Sequence, residues 1–491
     1  MSSSSYSLSR RGFMLTASAG LLSACAVDKP LAALAAREYD STGASPFGAL
    51  SPVTDPSTGL DLLQLPEGFS YSTYGWKGDE MTTGGPTPGA HDGMAVVGQR
   101  ASDGAWILIR NHELRRGDTI AAGAGVYDGH LYEGGVLDDE DAITLGGGCT
   151  RLFYKDGVWL GAEPALGGTY RNCSGGPTPW GSWLSAEEII FDGREHGGAL
   201  HGYVFEVPAE GEASARPIVD MGLFRHEAVA VDPRSSTVYL TEDNKAASGL
   251  YKFVPHDRSG QLGSLEAGGT LYMLAIEDEP LCDLGDAEEG DRYRAHWVEI
   301  ADPNALPEVV DVWGATSGKS GPFMQGEAQG AGIFSRLEGA WFQDGALYFA
   351  DTDGGAAEEG VIWKYVPDAD EQGGELIAIF VSRFSEETDA PDNLCLNPRG
   401  QLFFCEDGGH MPERVMGVTQ DGQVFAFAAN NVVLSEADIA AMGRDGVIGA
   451  HDYRASEWAG AGFSPDGQTF FVNIQGPGIT FAITGPWEKW A

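Results

Sequence analysis

Positive charge is scarce in this chain: 30 lysines and arginines stand against 72 aspartates and glutamates, leaving a formal net charge of −42. That balance excludes a nucleic-acid surface and argues against adhesion to anionic membranes through charge. It suits a soluble protein in a saline or calcium-containing medium, where cations screen the self-repulsion. Long apolar runs are missing beyond the N-terminal leader, so no transmembrane segment is expected. Long helical patterns are few, and no glycine-rich loop leads into a helix to cradle a phosphate. Cysteine is sparse too. Apart from Cys25 in the leader, the chain has Cys149, Cys173, Cys282, Cys395 and Cys405, an odd set that leaves at least one thiol unpaired outside the cytoplasm. Cys395 and Cys405 fall on the two strands of one hairpin and either pair or pack as small apolar side chains.

What the chain does have is glycine, 70 residues, and short alternating apolar stretches. Residues 226–243, 337–351 and 392–407, with a weaker copy from Trp458 to Asn473, each read as apolar strands around a Pro-Arg, Gln-Asp-Gly or Pro-Asp-Gly type of turn. These are β-hairpins, since glycine and aspartate supply turn conformations that branched residues resist. Six strands open on an acid or a thiol: Asp92, Cys173, Glu227, Glu338, Asp392 and Glu457. Their partners close on Asn111 with Glu113, Glu187 with Glu188, Glu242 with Asp243, Asp351 with Asp353, Glu406 with Asp407, and Asn473. Hairpins recurring every ~50 to 110 residues predict an all-β fold, a six-bladed β-propeller with long inserted loops. In a propeller the innermost strands converge on one axis, so the openers would ring one tunnel.

The N-terminus carries an address. Ser9-Arg-Arg-Gly-Phe-Met14 precedes a small-residue apolar stretch reaching Ala24, the pattern of a twin-arginine export signal. Leu22-Ser-Ala-Cys25 also fits a lipoprotein cleavage box, which would lipidate Cys25; ordinary cleavage at Ala24 or within residues 33–36 is the alternative. Residues 1–36 are therefore set aside as the leader, and residues 37–491 are expected to form a single propeller domain, acting as a monomer.

The most distinctive segment is residues 167–188, which holds Cys173 followed by two glycines and two prolines. These residues predict a tight irregular loop presenting the thiol before a strand at residues 180–184. Such a thiol is a soft metal ligand, and coordination would lower its pKa. Arginine precedes the opener by two residues at Arg171, Arg225 and Arg336. On an extended strand, residues two apart share a face, so each guanidinium would look into the tunnel beside an acid. Carboxylates hold hard cations, and guanidinium forks grip oxyanions. Metal ions would make such a tunnel locally positive and would clamp a phosphoryl group.

These residues carry a family resemblance. The twin-arginine leader, the cysteine loop ending in Glu187-Glu188, the His226-Glu227-Ala motif and the Arg336-Leu-Glu338 motif are similar to those of the PhoX-type alkaline phosphatases, over residues 61–479. The resemblance implies a six-bladed propeller with an iron and calcium cluster (Fe3+ and Ca2+), extracytoplasmic hydrolysis of small phosphate monoesters, and a cysteine thiolate on iron. It matches Cys173 to the iron-binding cysteine, Glu227 and Glu338 to metal-ligand glutamates, and Arg336 to the arginine that binds substrate phosphate. Read with the openers and closers, the expected metal set is Cys173, Glu188, Glu227, Glu338, Asp92, Glu113, Asp243, Asp392 and Asp407, with Arg171 and Arg225 beside Arg336 in catalysis.

His91, His226, His410 and His451 fall near axial loops and read as hydrogen-bond partners of acids. Residues 317–332 are glycine-rich and read as a long loop over the tunnel mouth. The acidic stretches 277–291 and 368–375 read as solvated insertions. Two other functions fit the same pattern: a calcium-dependent propeller esterase or lactonase, which leaves Cys173 and the arginines without a task, and a non-enzymatic exported propeller that binds a protein or glycan.

Overall fold

The alternating stretches do pair as tight antiparallel hairpins: Val231 opposite Val238, Gln343 opposite Ala346, Leu396 opposite Leu402 and Phe463 opposite Phe470. In the second of these, Asp344 (φ 52°) and Gly345 (φ 79°) are both left-handed, the conformation that a two-residue turn between twisted strands requires. The computed structural model describes residues 45–117, 120, 124–134, 136, 141–312, 314–419 and 422–490. The expected leader, including Cys25, lies outside the described residues, which fall within the compact unit Ser41–Ala491.

Six inner strands form a closed cycle of neighbours: His91–Gln99, Asn172–Pro177, His226–Val231, Leu337–Gln343, Pro391–Leu396, Trp458–Phe463, and back to His91–Gln99. Each begins an antiparallel meander running outwards, as in Leu337–Gln343, Ala346–Asp351, Val361–Pro367 and Gly373–Val381. The fold is an all-β propeller. Apolar side chains fill the space between adjacent meanders. One cluster joins Tyr239, Leu274 and Phe334 to Phe349, Trp363 and Tyr365, each large apolar side chain contributing about 1.5–3 kcal/mol on burial. Strands from the beginning of the chain complete sheets from its end: Asp61–Pro66 pairs with Val424–Asn430, and Ser70–Tyr74 with Ile479–Thr484. This pairing ties the two ends of the chain together and closes the ring.

Two elements depart from expectation. Residues 317–332 are not simply a loop over the axis: Gly321–Glu327 is an α-helix capped by Ser320, whose hydroxyl accepts from the Phe323 amide. It packs on the outer strand Gly269–Ile276 with Phe323 buried; Pro322 in the first turn and the Ser320 cap outweigh the glycines. In addition, the outer strands Arg292–Glu299 and Gly373–Val381 pair edge to edge, so two meanders share one nine-stranded sheet. The acidic stretch 277–291 is largely exposed, as expected of a solvated insertion.

The inner strands share a β-bulge at their axial ends. His91 pairs with His112 and Met94 with Arg110, so Asp92 and Gly93 together face Asn111. The same two-against-one step places Glu227 with Ala228, Glu338 with Gly339, and Asp392 with Asn393, and an equivalent irregularity holds Cys173 with Ser174. A bulge re-aims the side chain at the step, here the acid or thiol that opens the strand. The sixth strand differs. Its bulge falls on Gly460 and Ala461, three residues after Glu457, so a glycine occupies the opener position. A Cβ on Gly460 would lie 2.5 Å from the Asp92 carbonyl oxygen, which leaves no room for a side chain there.

Candidate active site

A single backbone hydrogen bond recurs in every meander and sets the site. The amides of Glu113, Glu188, Asp243, Thr352, Asp407 and Gln475 donate to the carbonyls of Ala90, Arg171, Arg225, Arg336, Ala390 and Glu457 at 2.9–3.2 Å. Residues just past each second strand are thereby held against the entry to each inner strand. Because side chains alternate along a strand, the residue before each faces away and serves the scaffold. Glu187 accepts from the amides of Tyr170 and Gly202 at 2.8 Å each, Tyr251 donates to Glu242 at 2.6 Å, and Arg414 donates twice to Glu406 at 2.7 Å. Buried Asp351 accepts from Trp363 Nε1 at 3.4 Å. Asn111 and Asn473 likewise stitch the inner ring, donating to the carbonyls of Cys173 (3.1 Å) and Asp92 (2.6 Å).

Among the described residues, ligand atoms on the axial side converge in three groups, each within 4.8 Å: Cys173 with Glu188 and Glu227; Asp92 with Glu113 and Glu457; and Glu227 with Glu338 and Asp392. Glu227 belongs to two of them. Asp243 and Asp407 border the groups: Arg336 Nε donates to Asp243 Oδ1 at 3.1 Å, and Asp407 shares a hydrogen bond with Glu457. All nine sequence-predicted ligands therefore lie in or against one cluster, although they span residues 92 to 407.

Two of the three expected arginines enter it. Arg171 donates to Glu113 Oε1 through Nε (2.8 Å) and Nη2 (2.5 Å), and reaches Glu188 at 3.4 Å. Arg336 binds Glu338 at 2.6 Å as well as Asp243. Both take left-handed φ values, 49° and 59°, which turn the chain sharply into the inner strand and are costly outside glycine. Arg225 stands apart; its charge acts on Glu242, behind the ring.

The cluster is electrostatically unfinished. Burial, then repulsion from Glu113, pushes the Asp92 carboxyl up to about 7. Burial also pushes Glu188, Glu227, Glu338, Asp392 and Glu457 well above the usual carboxylate range, each reinforced by neighbouring acids. The Cys173 thiol is raised by burial and by Asp92. Glu227 Oε2 is buried without a hydrogen-bond partner. Buried like charges persist only when protonated or neutralised by cations. A thiol among carboxylates, with an orphaned oxygen at the shared position, fits a site for more than one metal ion, with soft and hard donors together.

Several expectations are corrected in detail. Cys173 sits within a strand rather than on an irregular loop, and the following strand starts at Ser182, not at residue 180. The glycines of this segment serve close packing: a Cβ on Gly176 would lie 1.7 Å from the Val229 carbonyl oxygen. Thr352, not Asp353, occupies the axial closing position of the fourth meander, while Asp353 pairs outwards with Lys245 at 2.9 Å. Of the two alternatives for Cys395 and Cys405, packing holds: both are free and buried. As expected, none of the three ligand groups includes a histidine, but the ring partners of His91 and His226 are not acids: His91 bonds Arg110 (3.2 Å) and Pro88 (3.0 Å), and His226 bonds the Gly222 carbonyl at 2.9 Å. Sequence reading missed Gln475, whose amide donates to Asp92 (3.2 Å), Glu113 (3.1 Å) and Glu457. Its signal was its place, two residues beyond Asn473.

A family model for alkaline phosphatase PhoX matches residues 45–159 and 159–478. Among solved structures, the fold is similar to Pseudomonas fluorescens PhoX in complex with vanadate, a transition state analogue: 16% identity, TM-score 0.59, covering 89% of this chain and 98% of that one. A gluconolactonase from Xanthomonas campestris, XC5397, aligns at 11% identity and TM-score 0.39, covering 89% and 98%. No curated protein sequence matches. With the family model spanning most of its length, the chain belongs to the PhoX alkaline phosphatases, hydrolases of phosphoric ester bonds.

Proposed function

We propose that this protein is an extracytoplasmic phosphomonoesterase that works at an iron and calcium cluster on the propeller axis. The observation that carries this reading is the convergence of Cys173 and the buried carboxylates with two guanidinium groups at the ends of the inner strands. Cys173, Glu188 and Glu227 form the mixed thiol and carboxylate group suited to Fe3+, while the all-oxygen groups around Asp92 and Glu338 suit Ca2+. Asp243 and Asp407 complete the ligand set. Bound there, the metal ions would supply positive charge and Lewis acidity to a phosphoryl group.

The chain's own residues do the rest. Arg336 and Arg171 keep their charge because Glu338, Asp243, Glu188 and Glu113 outweigh the cost of burial. Each fork can turn from its acid to a phosphate oxygen, holding the ester in one orientation and stabilising charge that develops in the transition state. Arg225, whose charge acts on Glu242 behind the ring, takes no part in this grip. The relative that holds vanadate, a transition state analogue, supports the same chemistry on this fold.

The twin-arginine leader would export the chain after folding, with metal already loaded, to the periplasm or beyond, as a monomer and with Cys25 available for lipidation. Among the described residues, no helix is long and apolar enough to cross a membrane. The test is elemental analysis of the purified native protein together with a p-nitrophenyl phosphate assay at alkaline pH. Iron and calcium with turnover are expected; calcium without iron, and no turnover, would overturn the reading.

A further inference from the structure

Behind the axial cluster, buried charge collects around His201, which is fully buried on the short strand Leu200–His201. Its Nδ1 lies 2.7 Å from Glu187 Oε1 and its Nε2 lies 3.2 Å from Asp128 Oδ2. Both ring nitrogens face carboxylate oxygens, which accept only, so both carry protons and the ring is an imidazolium. Asp128 is tied down by the Tyr132 hydroxyl (2.6 Å) and the amides of His130 (2.8 Å) and Ala199 (2.9 Å).

Glu187 connects this layer to the axis. Its oxygens accept from the amides of Tyr170, Gly202 and Tyr203 at 2.8, 2.8 and 3.2 Å. Tyr170 directly precedes Arg171, and Glu187 directly precedes Glu188. The Glu188 amide donates to the Arg171 carbonyl at 2.9 Å. Arg171 is held at a left-handed φ, so its main chain needs such restraint to persist.

We propose that His201 is a positioning residue for phosphate binding: clamped between Glu187 and Asp128, it fixes the backbone that aims the Arg171 guanidinium and the Glu188 carboxylate at the axis. The inference rests on the reading that Arg171 grips substrate phosphate. Without the imidazolium, Glu187 and Asp128 are left as buried, partly unbalanced charges, and Glu187 gives up its hold on Tyr170.

The experiment compares wild type, His201→Gln, Arg171→Lys and the double variant, in the metal-loaded full chain. Inorganic phosphate inhibition and KM and kcat for p-nitrophenyl phosphate are measured, with metal content by elemental analysis. In His201→Gln, loaded with iron and calcium in excess because Glu188 is itself a proposed ligand, the inhibition constant and KM rise by about tenfold at full metal content, the usual scale for removing an outer partner of a site residue. In the Arg171→Lys background the His201 substitution adds little, because the arginine through which it acts is already altered. Unchanged KM and phosphate inhibition with only a lower melting temperature, or effects that simply add in the double variant, would overturn the proposal. Should His201→Gln fail to fold, Asp128→Asn leaves Glu187 in place and is expected to raise KM in the same direction; an unchanged KM there would also overturn it. A wild type that neither binds phosphate nor turns over the ester would instead refute the proposed function.

Discussion

Neighbouring acids at the strand ends of this propeller meet opposite fates. Glu406 receives both prongs of Arg414, Glu187 receives three backbone amides and an imidazolium, and Glu242 receives the Tyr251 hydroxyl. One residue later, Asp407, Glu188 and Asp243 face the axis among other acids. The outer acids are held by hydrogen bonds and serve the architecture, although burial raises Glu242 and Glu406 as well; the inner acids are crowded by like charges, which raise Glu188 and Glu227 further. A difference of one residue, through the alternation of a strand, separates stability from chemistry.

The comparison breaks most visibly in activity. Replacing Arg336 by alanine removes a charge aimed at the phosphoryl group and should lower kcat/KM by roughly 10²–10³. Cys173→Ala should be at least as damaging and should also lose iron, read by elemental analysis beside the ester assay. Calcium chelation should abolish turnover in wild type, and added calcium should restore it.

Stability responds to the other layer. Glu406→Gln takes the partner charge from the partly buried Arg414 while leaving an amide oxygen to accept, and should cost about 1–3 kcal/mol in denaturant unfolding, while the folded fraction retains its metal. The His201 pair gives a smaller, pH-dependent signal. Burial opposes the charge on His201, but Glu187 and Asp128 outweigh it and push its pKa to about 9, above the unfolded value of 6.5. A raised folded pKa makes this contribution complete below 6.5 and lost as pH rises through 9. The melting temperature should therefore fall across that window in wild type and more shallowly in His201→Gln. The smallest effect on stability is expected at Glu227. Glu227→Gln removes a carboxyl whose charged form burial and neighbouring acids already disfavour, and should leave the metal-free protein at least as stable in denaturant unfolding while removing activity.

Much of this was legible in the chain. The hairpin turns, the recurrence of openers, the thiol among them and the arginines two residues before lie in local pattern, because alternation and turn chemistry act over a few residues. Gly460 shows where pattern failed in part: Glu457 joins the axial cluster as expected of an opener, yet packing against the Asp92 backbone puts a glycine, not Glu457, at the bulge. Asp353 failed for a related reason, since only the hydrogen bond from Thr352 to Arg336 reveals which residue faces the axis. His201 and Gln475 carried no motif, and their roles arise from neighbours distant in sequence.

The sequence by itself determined that acids and a thiol would open the strands of repeated hairpins, and that a tunnel binding phosphate in so negative a chain would have to be locally positive. Tertiary structure alone decided which acids are satisfied and which are not. Ring closure brings residues separated by hundreds of positions within a few ångströms, and only at that distance, in a medium with little water, does the balance between desolvation, hydrogen bonding and like-charge repulsion become definite.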